Sequence, residues 1–213
     1  METSPIIFIL LKTWEHLQLT FYTMFISMAI AIPLGILLAR IRFQKISSGV
    51  LRVVAIMQTI PGLALIALIM VFLVFLRPII HLPTTGFLPG IIVLITYALL
   101  PILNNTYTGI KHVSQANKDI AKGMGMTSMQ SLFMVEVPIA LPVIITGVRT
   151  SLVWTIGLAT LTSLVGSGGL GDLIMQGLRS LQLNLILQGT IPAALLAIIL
   201  DWMVAKIGRW IEP

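Results

Sequence analysis

The chain has 213 residues, 57% of them hydrophobic and only 9% charged, with a mean hydropathy of +1.04. A soluble domain carries about 25% charged residues, so a water-soluble globule is excluded and an all-α integral membrane protein with several spans is expected. The formal charge of +6 does not point to nucleic acid, because the basic residues fall between apolar runs and not on one face; the absence of cysteine excludes disulfides and thiolate metal sites, and His16, His81 and His112 share no metal-ligand spacing.

In chain order, residues 1–15 form an N-terminal segment, expected to be extracytoplasmic or interfacial. Pro5 to Leu11 is apolar but too short for a span, and no cleavable signal peptide stands out. A spanning helix needs about 20 mostly apolar residues. Five segments qualify, at about 17–39, 51–76, 86–103, 139–165 and 185–205, followed by a tail at 206–213. Continuous apolar runs without strict alternation choose helices over barrel strands.

The basic residues orient these spans. Arg40, Arg42, Lys45, Arg52, Lys111, Lys118, Lys122, Arg149, Lys206 and Arg209 fall on one side, and only Lys12, Arg77 and Arg179 on the other. This asymmetry predicts an outer N-terminus, a cytoplasmic C-terminus and a cytoplasmic connection at 104–138. A polar insertion of that length in so economical a chain is expected to have its own structure and role.

Within that insertion, helix-favouring residues run from Asn117 to Met124, and Gly123 and Gly125 stop them. Thr127 and Gln130 have capping-box spacing and start a second helix. Met129, Leu132, Phe133 and Val137 then recur at helical spacing, and Pro138 opens the next span. The result is a helix, a sharp turn and a second helix outside the membrane, carrying flexible apolar contacts at Met124, Met126, Met129 and Met134. On these residues alone, an interfacial hairpin that merely closes the loop is the favoured reading.

The segment Asp119 to Pro138, DIAKGMGMTSMQSLFMVEVP, resembles the cytoplasmic coupling loop of ABC importer permeases. That pattern has an acid, two small or apolar residues, three of any kind, Gly, nine more, then I-x-L-P. Here Asp119, Ile120, Ala121, Gly125 and Val135-Glu136-Val137-Pro138 keep every spacing. The departure is Asp119-Ile120 in place of the usual Glu-Ala, with the acid retained. QTIPGLALIAL (Gln58–Leu68), LLPILNNTYTGIK (Leu99–Lys111), VEVPIALPVIITGVRTS (Val135–Ser151) and GLATLTSLVGSGGLGDLI (Gly157–Ile174) extend the resemblance to nearly the whole chain. They are similar to the type I ABC permeases of the OpuB/OpuC kind, which import glycine betaine, carnitine, choline and related osmoprotectants.

The resemblance implies an ATP-driven importer in a bacterial inner membrane. Its ATPase contacts would be Asp119, Ile120, Ala121, Gly125, Met126, Thr127 and Pro138. Its partners would be two ABC ATPase subunits, a second copy or sister permease, an extracytoplasmic solute-binding protein or lipoprotein, and membrane lipids. No cofactor would be bound by this chain: it contains no G-x-x-x-x-G-K-[ST] loop, so ATP and magnesium would sit on the partner ATPase. A methionine permease would share the general loop signature but not the Asn104–Lys111 run. Outside this class, a secondary transporter or channel predicts charge relays or inverted repeats, which are not visible. A membrane scaffold would use the polar loop only for docking.

Polar and helix-breaking residues at membrane depth face a cavity or a neighbouring helix. Gln58, Thr59 and Pro61 in the second segment are therefore candidates for a translocation path. So are Tyr97, Trp154, Thr155 and Ser163, with helix packing as the alternative role. Gly166 to Gly171 satisfies G-x-G-x-x-G, but it follows a membrane helix and Ile191 stands where the ribose-binding acid would be, so it reads as a tight outward turn. Asn104-Asn105-Thr106 is a sequon on the cytoplasmic side and carries no weight. Asp201 is expected to snorkel or to pair with Lys206, and Trp202 and Trp210 fit an interfacial aromatic belt.

Overall fold

Long apolar runs become long helices in the computed structural model, which describes residues 5–41, 43–79 and 81–211. Arg42, residues 1–4 of the N-terminal segment and 212–213 of the tail lie outside the described residues. Every element among the described residues is helical. Helix α1 (Pro5–Arg40) has 36 residues, so most of the expected N-terminal segment is the first part of the first span's own helix. Lys12 and Glu15 do not interrupt it, because each finds a partner: Lys12 Nζ donates to Glu15 at 2.8 Å and to Asp172 at 2.7 Å.

The second segment is not one straight span. Helix α2 (Gln44–Thr59) and helix α3 (Gly62–Leu76) are bent by 103° at Ile60-Pro61. Pro61 has no N–H and is the N-cap of α3, which suits a position where the donor would be unsatisfied anyway. Among the described residues, four helices are long and apolar enough to cross a membrane, and a fifth crossing exists only if this bent pair is counted as one.

Helix α4 (Phe87–Lys111) extends the third span eight residues past its expected end at 103. It lies between α1 and α7 (Val137–Thr162), its two most extensive neighbours. Met24, Ala31 and Leu38 of α1, Ile102 and Leu103 of α4, and Leu152 and Ile156 of α7 form the largest apolar cluster. The α4–α7 contact runs through Gly109, Ala140 and Gly147; small residues let backbones approach, which in a membrane supplies the packing that water would otherwise drive.

Helix α8 (Leu170–Ser180) follows the glycine turn, and helix α9 (Leu183–Ile211) packs on α7 and α8. The turn at 166–169 is where the sequence places it, and it folds against α1. Gly169 has φ +84° and its N–H donates to Glu15 at 2.9 Å. A Cβ there would lie 3.0 Å from His16 Nδ1, so the close approach as well as the backbone angle calls for glycine.

Candidate functional site

The polar connection is built as two short helices at one end of the bundle. Ser114 caps α5 (Gln115–Gly123), its Oγ accepting from the Asn117 N–H at 3.3 Å. The helix ends in a Schellman motif: the Met126 N–H donates to the Ala121 carbonyl at 3.1 Å and the Gly125 N–H to the Lys122 carbonyl at 3.0 Å. Gly125 carries the left-handed angle, φ +79°. Gly123 is the last helical residue and does not stop the helix, which corrects the expectation that both glycines act as breakers.

Helix α6 (Ser128–Ser131) starts with the expected capping box. Gln130 N–H donates to Thr127 Oγ1 at 3.3 Å, and the Thr127 N–H donates to Gln130 Oε1 at 2.8 Å. It then passes through a π-helical turn, Leu132–Glu136, directly into α7. Pro138 therefore does not open a separate helix. It sits in the first turn of α7, after a widened turn that accommodates a residue lacking an N–H.

The expected contact residues divide into anchors and surface. Ala121 is fully buried, while Asp119 is exposed and accepts from Gln115 Nε2 at 2.9 Å. Ile120 is exposed, and Met124, Met129, Phe133 and Met134 add to an open apolar surface. Gly125 and Thr127 are exposed and Met126 is half-buried between them, completing the turn.

Two residues that the sequence reading missed hold this loop to the bundle. Arg40, the last residue of α1, donates through Nη2 to the Ser128 carbonyl at 2.9 Å and to Ser128 Oγ at 2.8 Å. The same nitrogen lies 3.3 Å from Glu136 Oε1, whose side chain is 3% exposed. Ser131 Oγ donates to that carboxylate at 3.4 Å. Arg40 counts in the sequence only toward charge asymmetry, and Glu136 occupies the free position of I-x-L-P. A charged residue placed among Leu132, Val135 and Val137 is the only signal that could have marked it.

The path candidates do not form one group. Gln58 Nε2 donates to the Tyr97 carbonyl at 2.8 Å, and the Tyr97 hydroxyl donates to the Ile60 carbonyl. Pro101, four residues on, cannot donate to the Tyr97 carbonyl, so Gln58 satisfies an acceptor that α4 leaves open. Gln58, Pro61 and Tyr97 thus bracket the α2–α3 break, while Thr59 is exposed and bonds back to the Ile56 carbonyl at 2.7 Å. Thr155 is buried beside Met24 Sδ, and Ser163 Oγ donates to the Thr160 carbonyl at 2.8 Å. Trp154 stands apart, exposed on a groove between α7 and α9.

That groove holds the partner of Asp201. Arg149 Nε donates to Asp201 Oδ1 and Nη2 to Oδ2, both at 2.8 Å. The expected pairing with Lys206 is not formed; Lys206 Nζ lies 5.1 Å from the centre of the Trp202 ring instead. The planar guanidinium matches both carboxylate oxygens, a better partner than an ammonium a little over one turn away.

Over residues 31–213 the chain matches the family described as the binding-protein-dependent transport system inner membrane component. The chain belongs to this family. It is therefore a multi-pass membrane component of a transport system and not an enzyme. This permease is 40% identical to the glycine betaine/carnitine/choline transport system permease protein OpuCB of Bacillus subtilis, over 96% of this chain and 89% of that one. It is 40% identical to the carnitine transport permease protein OpuCB of Listeria monocytogenes, over 96% and 88%. It is 33% identical to the osmoprotectant import permease protein OsmW of Salmonella typhimurium, over 94% and 90%. Among solved structures, the permease resembles a chain of the MetNI methionine ABC transporter in an inward-facing conformation, with a TM-score of 0.85, 23% identity, and coverage of 99% of this chain and 100% of that one. The type I ABC permease fold expected from the sequence is thus present, and the resemblance to osmoprotectant permeases extends over nearly the full chain.

Proposed function

We propose that the permease forms the membrane path of an ATP-driven importer of quaternary ammonium osmoprotectants such as glycine betaine, carnitine and choline. The observation that carries this reading is the 38–40% identity to curated permeases of such solutes along almost the entire chain. The same reading supplies its partners: two ATPase subunits that hold ATP and magnesium, a second copy or sister permease, and an extracytoplasmic binding protein that delivers the solute. The chain itself binds no cofactor. Positive-inside asymmetry supports an outer N-terminus and a cytoplasmic α5–α6 loop in a bacterial inner membrane.

Coupling runs through that loop. The Schellman turn at Gly125 and the capping box at Thr127 fix its shape before any partner arrives. Ile120, Met124, Met129, Phe133 and Met134 offer apolar side chains to an ATPase groove, and methionine re-packs as such a groove moves. Ala121, the Arg40–Glu136 contact and the unbroken run from α6 into α7 tie that movement to the bundle, so a rigid-body displacement of the ATPase shifts membrane helices. The test is ATP-dependent uptake of labelled glycine betaine by proteoliposomes holding the permease with its ATPase and binding protein. Accumulation that requires ATP and all components is expected. Uptake indifferent to ATP, or of methionine and no quaternary ammonium solute, would overturn the reading.

A further inference from the structure

Arg149, counted by sequence with the cytoplasmic-side cations, stands instead near the middle of α7, and Asp201 in the second half of α9, both inside helices long and apolar enough to cross a membrane. Their side chains are not sealed in: they are 40% and 30% exposed, and they open onto a groove of about 680 Å³ that adjoins a second of about 400 Å³. Charged groups do not face hydrocarbon at this depth; they face a wet cavity or a polar partner. The volume is that of a small-molecule site. Asp201 occupies only two of the five N–H donors of Arg149. The Thr146 and Thr150 hydroxyls on the wall donate to carbonyls of their own helix; Arg209 also lines the larger groove, while in the smaller one the ion pair is the charged chemistry. Trp154 lines the smaller groove and is 59% exposed. Trp202 lines the larger and already lies near one cation, Lys206.

One guanidinium, one carboxylate and a free indole within the smaller groove complement a molecule carrying both charges a few bonds apart. We propose that the Arg149–Asp201 pair and Trp154 form a solute-contacting site for a zwitterionic quaternary ammonium compound, the pair opening so that the solute carboxylate meets Arg149 and its ammonium meets Asp201 and the Trp154 face. The site rests on the function proposed above. Exchange of partners leaves no charge uncompensated at any stage, so the solute is held without a deep well, which suits a path that must release it. The indole contributes a cation–π contact open to a methylated ammonium.

The experiment uses the complete transporter in proteoliposomes and compares glycine betaine, a zwitterion, with choline, which lacks a carboxylate. The wild-type complex is expected to import both. Arg149→Gln should slow glycine betaine uptake roughly tenfold or more, the worth of a charged hydrogen-bonded contact, and choline much less. Trp154→Ala should slow both. The charge-exchanged double variant R149D/D201R restores an ion pair but puts the carboxylate on α7 and the guanidinium on α9, reversing the polarity that the solute meets across the groove, so glycine betaine uptake should stay low. Wild-type uptake of neither solute would remove the proposed function and this site with it. Uptake of glycine betaine that Arg149→Gln leaves unchanged, equal loss of both solutes in that variant, or full recovery in R149D/D201R would remove the site alone and leave a staple between α7 and α9.

Discussion

Gly123 and Gly125 look interchangeable in the sequence and should behave oppositely when replaced by alanine. Gly123 is helical, and a Cβ built there meets nothing within 4 Å. Gly123→Ala should therefore stabilise α5 by up to about 1 kcal/mol, the helix-propensity difference between the two residues. A Cβ at Gly125 also meets nothing within 4 Å, but the backbone sits at φ +79°. Left-handed backbone costs a non-glycine residue about 1–2 kcal/mol. Opposing that cost are the two Schellman bonds through Gly125 and Met126, each worth about 1 kcal/mol net. The turn is then near balance, and the population of the shape that a partner must recognise falls. A loss of 1–2 kcal/mol corresponds to at most about a five- to thirtyfold weaker apparent association. The assay is co-purification of the ATPase with tagged permease across a salt series, paired with ATP-driven uptake. Gly125→Asn is the control, since asparagine tolerates this backbone region better than alanine, and it should retain more association than Gly125→Ala. Equal loss in Gly123→Ala and Gly125→Ala would refute the reasoning. Equal loss in Gly125→Ala and Gly125→Asn would replace backbone strain with crowding against the partner as the cause.

Thr127→Ala removes the capping-box acceptor and should cost about 1 kcal/mol at the start of α6, seen as faster hydrogen exchange confined to residues 128–131. Arg40→Ala leaves the buried Glu136 carboxylate with only Ser131 and should lower thermal stability by about 3 kcal/mol, whereas Glu136→Gln, which keeps a hydrogen-bonding side chain and leaves Arg40 on Ser128, should cost less; the reverse order in melting of the purified protein would contradict the contact described. Gln58→Leu strands the Tyr97 carbonyl and should cost about 1–3 kcal/mol. Adding Pro101→Ala supplies the missing backbone donor, so the double variant should recover part of that loss in the same melting assay. Gly169→Ala combines φ +84° with a 3.0 Å approach to His16, and should lower stability more than Gly123→Ala raises it.

The parts of the fold that were legible in the sequence are those set by neighbours in the chain. The capping box needs only Thr127 and Gln130, the turn needs only a glycine at the right offset, and the apolar runs need only their own length. Hydropathy ended the first span early because Lys12 and Glu15 are charged, yet Asp172, brought in by the turn at 166–169, pairs with Lys12 and lets α1 continue. Pro61 marks a helix-breaking position inside the expected 51–76 span but not the 103° bend, where Tyr97 and Gln58 meet across two helices. The same limit hid Arg40 and Arg149. Their partners lie 88 and 52 residues away, where periodicity has no reach, and the nearest cation in sequence to Asp201 is Lys206, which is not its partner.

These long-range contacts fall at the two ends and on one flank of the molecule, and α1 joins the two ends. Arg40 meets Ser128 and Glu136 at the end that carries the polar loop, while Lys12, Glu15 and His16 meet α8 and its preceding turn at the other. At about 1.5 Å per residue, the stretch from Lys12 to Arg40 spans on the order of 40 Å as one helix. Pro33 lies inside it without ending it, because Leu38 and Ala31 remain packed on α4 and α7. To the extent that this packing keeps α1 straight across Pro33, displacement of the loop end is taken up by sliding against α4 or by shifting the contacts at Gly169. The α2–α3 break, by contrast, has an exposed outer surface at Ile56, Met57, Leu63 and Leu68, and its inner side is held by the Gln58–Tyr97–Ile60 bonds and by Ile60, Leu65 and Ile66 packed against α4 and α7. The same bundle thus offers one stiff connection between its ends and one bent connection held by side-chain hydrogen bonds and apolar packing, and the Gln58 and Pro101 variants act on the second without touching the first.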